Sequence, residues 1–412
     1  MLEILESGWR LARLNELGTV ERGRSRHRPR NAAHLYGGRY PFIQTGDIKA
    51  AGLRIYQYSQ TYSEAGLAQS RLWPAGTLCI TIAANICDTA ILGIPACFPD
   101  SVVGFTPNER VADAVFVKYA LDAAKRRFTD ISRGATQDNL SVEKMLSQQL
   151  HIPPLPIQRR IASILGAYDD LIEVNRRRIA VLEEMARRLF DEWFVHFRFP
   201  GHEGHKMVET EHGRLPEGWL FRSLMAIAEL RMGQSPPSST YNENGDGLPF
   251  HQGVSDFGLH FPVDRVFTTA IDTDRIAEPG DALFSVRAPV GRINVSLSRV
   301  VLGRGVAAIR GKETPFFVLE SLRRQFVETD QIGNGTIFKS VTKRDMAIIA
   351  VLWPPVGVRK RFDGLCADVW GQIRTLTIGN RRLAASRDLL LPRLISGELS
   401  VATAERELET AA

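Results

Sequence analysis

The chain has 412 residues, 24% charged and 44% hydrophobic, an ordinary globular balance long enough for two or three domains with buried cores. Its net charge of +6 and pI of about 9.2 lean basic, which suits a polyanionic partner without requiring one. No run approaches the roughly 18 to 20 apolar residues of a membrane helix, the opening MLEILESGWRLARL has no secretory pattern, and four cysteines without a CxxC pair read as reduced thiols of a cytoplasmic protein.

In chain order, residues 1–152 form a first mixed domain of short apolar runs broken by Gly and Pro, with a strand expected at 77–82. Within it ERGRSRHRPR alternates Arg22, Arg24, Arg26, Arg28 and Arg30; in an extended segment that spacing puts the guanidiniums on one face, suited to a phosphate backbone. Near its end Arg133, Gln137 and Asn139 sit in a polar loop, where amides can grip adenine edges and arginine a guanine or a phosphate; such residues also suit any tight turn.

A Pro153-Pro154 step opens a long helix over 153–199, on the order of 60 Å for some 40 residues at 1.5 Å each. Ile161, Tyr168, Asn175, Leu182 and Leu189 recur every seven residues, and Ile164, Leu171 and Met185 stand three after members of that series, which predicts a heptad seam. Asn175 on the seam is a register-fixing amide. Leu165, Ile172, Ile179, Trp193 and Phe194 lie off it, free to pack either partner helices or the chain's own domains.

Residues 200–216 read as a polar linker. Its His202, His205 and His212, near His196, fit solvated side chains better than a metal site, so no metal is expected. A second mixed domain spans 217–353, with strands at 282–286 and 299–309. Arg287, Lys339 and Lys343 are its candidate nucleic-acid contacts, Lys339 in the polar loop 333–339. A second long helix follows over 354–398, with Phe362, Val369, Leu376, Leu383 and Leu390 every seven residues, weakened by Gly371 and Gly379. Residues 399–412 read as a tail.

The two halves are copies. Trp9 answers Trp219, Tyr40-Pro-Phe-Ile-Gln44 answers Leu248-Pro-Phe-His-Gln252, Gly76 answers Gly280, Pro153-Pro154 answers Pro354-Pro355 and Arg188-Leu189 answers Arg393-Leu394. The offset drifts through 210, 208, 204, 201 and 205, as loops gain and lose residues. The second copy carries four extra residues between the Pro-Pro step and Asn380, a stutter that unwinds a supercoil locally without destroying it. The expected fold is α+β: two similar α/β domains separated by two long antiparallel coiled-coil helices, an internal duplication with pseudo-twofold symmetry.

Catalytic motifs do not emerge: the chain has no Walker loop, HExxH or GxSxG. Gly303-Arg-Gly305-Val-Ala-Ala308 fits a relaxed dinucleotide fingerprint but lies in a strand-like run with no helix after it. The Pro-Pro steps lack the flanks of an adenine-methyltransferase loop, because Ile152 and Trp353 stand where its polar residue belongs and Leu155 and Val356 where its aromatic does. The chain is therefore expected to be non-catalytic and to hold no cofactor.

The stretches PLPIQRRIASILGAYDDLIEVNRRRIAVLEEMARRLFDEWFVHFRFPG and NRRLAASRDLLLPRLISGELSV resemble the conserved helical regions of DNA specificity (S) subunits of Type I restriction-modification systems. The Trp-led openings and GTLCITIAANICDTAILGIPACFP resemble their target recognition domains, so the resemblance covers essentially the whole chain. It departs at VGVRKRF, where the family's Gln after the Pro-Pro step, present as Gln158 in the first copy, is Arg359. The resemblance implies two target recognition domains, each reading half of a bipartite double-stranded DNA target, and a helix pair acting as a ruler. A rod near 60 Å would hold the halves less than two helical turns apart at about 3.4 Å per base pair. It also implies two modification (methyltransferase) subunits carrying S-adenosylmethionine and two restriction (translocase/nuclease) subunits using ATP and Mg. A modification-only or Type II-like assembly is the alternative, and a coiled-coil interaction protein that binds no DNA a more distant one.

Overall fold

The computed structural model describes residues 8–132, 140–331 and 340–411. Among the described residues five helices exceed ten residues: α1 Ala114–Ser132, α2 Leu155–Phe190, α3 Pro315–Gln331, α4 Val356–Ser396 and α5 Val401–Ala411. The chain divides into two compact units, Met1–Arg176 with Ile378–Ala412, and Arg177–Thr377. Each holds one mixed domain, the first part of the long helix that follows it and the last part of the other long helix.

In the first unit a sheet runs in the order Gly18–Arg22, Val102–Pro107, Leu78–Thr81, Thr89–Leu92, Arg54–Ile55, with the last pairing parallel. In the second unit Ala228–Met232, Val306–Gly311, Ala282–Ser285 and Ile293–Val295 repeat its first four strands. The registers also repeat: Thr81 faces Val102 and Ile80 faces Thr89 in one, Ser285 faces Val306 and Phe284 faces Ile293 in the other. A one-residue slip would turn every apolar side chain to the wrong face, so identical registers mean that the duplication conserves the core as well as the sequence pattern. Gly76 (φ +88°) and Gly280 (φ +89°) make the same left-handed turn into the central strand, where a side chain would be strained. Each domain closes by pairing its opening strand with the strand before its Pro-Pro step, Arg10–Arg13 with Gln149–Ile152 and Leu220–Ser223 with Ala350–Trp353.

The run 299–309 proves to be two strands, Val300–Leu302 and Val306–Gly311, with Gly303-Arg304-Gly305 as the turn between them. The 200–216 stretch carries a 3-10 turn, His202–Gly204, and a hairpin of Met207–Thr210 with Gly213–Pro216. The 399–412 tail is largely helix α5, whose Val401 and Ala404, with the preceding Leu399, bury into the first unit's core. Both segments are short and charged, so periodicity gave no signal for them.

The long helices bury a broader face than the counted seam. On α2, Ile161, Ile164 and Asn175 are buried, and a further buried row stands four residues after the counted series: Leu165, Ile172, Ile179 and Ala186, continued by Trp193 in the π-helical turn Asp191–Val195 just past its end, all under 7% exposed. Leu171 and Met185, assigned to the seam by the three-residue spacing, are instead 46% and 55% exposed. Three and four residues ahead lie on either side of the same line, and only the elements packed against the helix decide between them. Phe362 and, off the counted series, Cys366 and Ile373 on α4 are fully buried; Tyr168, Leu182, Leu189, Val369, Leu376, Leu383 and Leu390 are partly so. Within the first unit Arg160 pairs with Glu405, Asp169 with Arg387 and Asn175 with Asn380, so the segments run antiparallel. The Asn175 amide donates to Asn380 Oδ1 at 2.8 Å. Gly371 and Gly379 lie inside α4 without ending it.

A buried polar pair ties each domain to its following helix at the same place in both copies. Tyr119, sixth in α1, donates its hydroxyl to Asp169 Oδ2, fifteenth in α2, at 2.5 Å. Glu320, sixth in α3, accepts from the indole Nε1 of Trp370, fifteenth in α4, at 2.9 Å. Donor and acceptor have changed sides between the copies. The helix starts match as well: Gln158 Nε2 donates to Pro153 O and Arg359 Nε to Pro354 O, both at 2.9 Å. Arg359 thus takes over the glutamine's contact, with Glu313 at 3.3 Å offsetting its charge.

Candidate nucleic-acid interface

The arginine run leaves the edge strand Gly18–Arg22 as an extended segment pinned by Gly23 N donating to Val102 O and Arg24 N to Phe98 O. Gly23 and Ser25 are buried and Arg22, Arg24 and Arg26 exposed, so alternation presents these three on one face. Arg22 Nε donates to Asp100 O at 2.9 Å, Arg30 pairs with Asp100 at 2.8 Å, and Arg28 donates to Ser25 O at 2.7 Å. These three brace the loop. Arg24 and Arg26 have side chains that bond to no described residue and point their charge to solvent.

The second unit builds the same corner with other residues. Gly233 N donates to Val306 O and Gln234 N to Leu302 O, the equivalents of the two bonds above. Ser235 Oγ donates to Gln252 Oε1 at 2.9 Å, and Gly305 N to Gln252 O at 3.0 Å. A Cβ at Gly303 or Gly305 would meet the Gln252 backbone at 2.7 and 2.5 Å, so the turn must be glycine-flanked to sit this close.

Beside the corner, Val286 N donates to Gly305 O at 3.0 Å and Val341 N to Val286 O at 2.8 Å. Arg287 and Lys343, both expected contacts, are therefore brought onto neighbouring backbone segments, and both are exposed. Arg133, Gln137, Asn139 and Lys339 lie outside the described residues. Sequence reasoning missed Arg304, exposed at the tip of the glycine turn. The signal existed: the offset of 204 that carries Gly76 to Gly280 carries Asp100 to Arg304.

Beneath the second domain, Glu183 on α2 is held by Arg323 and by His260 Nδ1 at 3.2 Å. Burial raises its pKa, but the hydrogen bond from His260 and the Arg323 charge outweigh that and hold the carboxyl below its ordinary range. Burial pushes Glu320 the other way, above its ordinary range. These charges serve packing. The linker histidines are engaged locally: His202 Nδ1 lies 2.9 Å from Phe199 O and His212 packs on Phe221. Among the described residues no helix is long and apolar enough to cross a membrane.

The duplicated frame thus presents different polar side chains at the same corner of its two copies. Residues 6–184 match the family described as Type I restriction modification DNA specificity domain. The putative type I restriction enzyme MjaX specificity subunit of Methanocaldococcus jannaschii is 29% identical over 72% of this chain and 71% of its own. The MjaIX specificity subunit of the same organism is 24% identical over 95% of this chain and 94% of its own. The crystal structure of a Type-I restriction-modification system S subunit from M. genitalium shares the fold, with a TM-score of 0.59 at 14% identity over 95% of this chain and 98% of that one. Residues 6–184 thus match a Type I restriction modification DNA specificity domain, and the chain as a whole is similar to type I restriction enzyme specificity subunits.

Proposed function

We propose that the chain is the DNA-reading, non-catalytic subunit of a Type I restriction-modification complex, each domain recognising one half of a gapped double-stranded target. The observation that carries this reading is the pair of corners. One strand register is built twice, and at its edge one copy presents Arg24 and Arg26 where the other presents Gln234 and Pro236. Two equal frames with unequal side chains suit a target of two unequal halves. Phosphate contacts would position each domain and base contacts select the sequence.

The partners proposed are two modification subunits and two restriction subunits, with S-adenosylmethionine, ATP and Mg bound on them and the assembly acting in the cytoplasm. In support, each unit leaves apolar side chains exposed on the long helices. They include Leu171, Val174 and Leu389 in the first unit and Val181, Met185 and Leu365 in the second, between 42% and 72% exposed. Apolar surface of that kind on a helix fits helices of a partner.

The test is to co-purify the chain with its modification subunit and measure binding to duplex DNA across salt concentrations. The reading expects affinity to fall steeply as salt rises, with one gapped sequence bound far above the rest. A complex that binds all duplexes alike, or none, contradicts it.

A further inference from the structure

The two domains carry their basic charge on different segments of the same corner. In the first domain the charge lies on the run Arg22 to Arg30. The segments beside the corner are held by Ile82 N donating to Ser101 O and Leu140 N to Ile82 O, and they carry Asp100, Ala83, Glu143 and a single exposed cation, Lys144. In the second domain the run is uncharged, GQSPPSST. The segments stacked beside it are held by the equivalent bonds, Val286 N to Gly305 O and Val341 N to Val286 O, and they carry Arg304, Arg287, Lys343 and Arg344. Position by position, Asp100 becomes Arg304, Ala83 becomes Arg287, Val142 becomes Lys343 and Glu143 becomes Arg344, while Lys144 becomes Asp345, whose carboxylate is bonded to Thr342 at the start of its own helix. All four second-domain cations are exposed, and their side chains bond to no described residue.

We infer that Arg304, Arg287 and Lys343 form the phosphate-binding edge of the second domain, replacing the arginine run that serves the first. The inference rests on the DNA-reading function proposed above and adds where each domain meets the backbone. Arg304 is the centre of the edge because its turn is fixed. Gly303 N donates to His251 O at 2.8 Å, Gly305 N to Gln252 O at 3.0 Å, and Arg304 N approaches Ser235 Oγ at 3.4 Å. A guanidinium on a rigid turn loses little freedom on binding an anion. Three cations on hydrogen-bonded neighbouring segments can each displace a counterion from a duplex. The Asp100 counterpart explains why the first domain does not use this edge: a carboxylate there repels phosphate and instead anchors Arg30.

The experiment uses the full-length chain and a fluorescein-labelled 40-base-pair duplex of random sequence, with anisotropy titrations from about 50 to 300 mM KCl. The triple variant R287A/R304A/K343A should lower the slope of log affinity against log salt by about 2 to 3, near 0.9 per lost contact. It should weaken binding at least tenfold at low salt, with the melting temperature unchanged because all three side chains are exposed. R24A/R26A should lower the slope by about 2 independently, and R304D should weaken binding more than R304A. A triple variant with wild-type slope and affinity, against a wild type that binds, overturns the assignment of this edge. A wild type that shows no salt-dependent binding alone or with its modification subunit overturns the DNA reading itself, and the inference with it.

Discussion

Replacing Asp169 by alanine tests how the first domain is fastened to the long helices. Asp169 is 5% exposed, accepts the Tyr119 hydroxyl at 2.5 Å and pairs with Arg387. Burial and the adjacent carboxylate push the Tyr119 hydroxyl far above its ordinary range, so it stays protonated and donates. Removing one member of a buried charged pair costs about 3–5 kcal/mol. Arg387 keeps Asp388 at 2.7 Å, and its side chain is 24% exposed, which places the expected loss near the lower end, about 3 kcal/mol. The first unit, Met1–Arg176 with Ile378–Ala412, is of a size for which each kcal/mol moves the melting temperature by about 2–4 °C. Calorimetry should therefore show its transition falling by about 6–12 °C, with hydrogen exchange accelerated in α1 and the first turns of α2. Tyr119→Phe, which removes only the hydroxyl, should cost about 1.5–3 kcal/mol, and the double variant less than the sum of the two. A shift under about 2 °C for Asp169→Ala, or strict additivity, refutes the argument that this pair fastens domain to helix.

Three further outcomes follow from other sites. Gly371→Ala, at a helical position where an added Cβ meets nothing within 4 Å, should stabilise the second unit by up to about 1 kcal/mol, read as a higher denaturation midpoint. Glu183, whose folded pKa is depressed below the ordinary 4.5, contributes stability that is whole above that value and lost as pH falls through the lowered one. Melting temperature against pH should thus fall below about pH 4.5, and E183Q should flatten that limb while lying lower at neutral pH. Replacing the hydrogen-bonded pair by N175L/N380L should raise thermal stability yet relax the register, seen as additional associated species in size-exclusion chromatography with light scattering; a single species refutes a register role.

The sequence made the duplication, the long helices and the central strands legible because each rests on a local signal: heptads, apolar runs, and glycine and proline punctuation. The second row of buried helix positions was not legible. Leu171 and Ile172 are neighbours, and which of them turns inward depends on the domain and helix packed against α2. The basic edge of the second domain escaped for a related reason. Arg287, Arg304 and Lys343 are scattered in sequence and meet only through the backbone bonds that join residues 286, 305 and 341. The arginine run of the first domain was readable because all of its charge lies on one segment. Carrying the offset of 204 from the glycine turns to Asp100 would have shown the reversal of charge at Arg304.

The most direct measurement of the central claim is the methylome of cells expressing this chain with its modification subunit, against cells lacking only this chain. The account predicts N6-methyladenine at one gapped, two-part motif, lost when the chain is removed. It further predicts that exchanging residues 217–353 for the same domain of a relative changes one half of the motif and leaves the other intact. An unchanged methylome, with the modification subunit present and active, would contradict the claim that this chain selects the target.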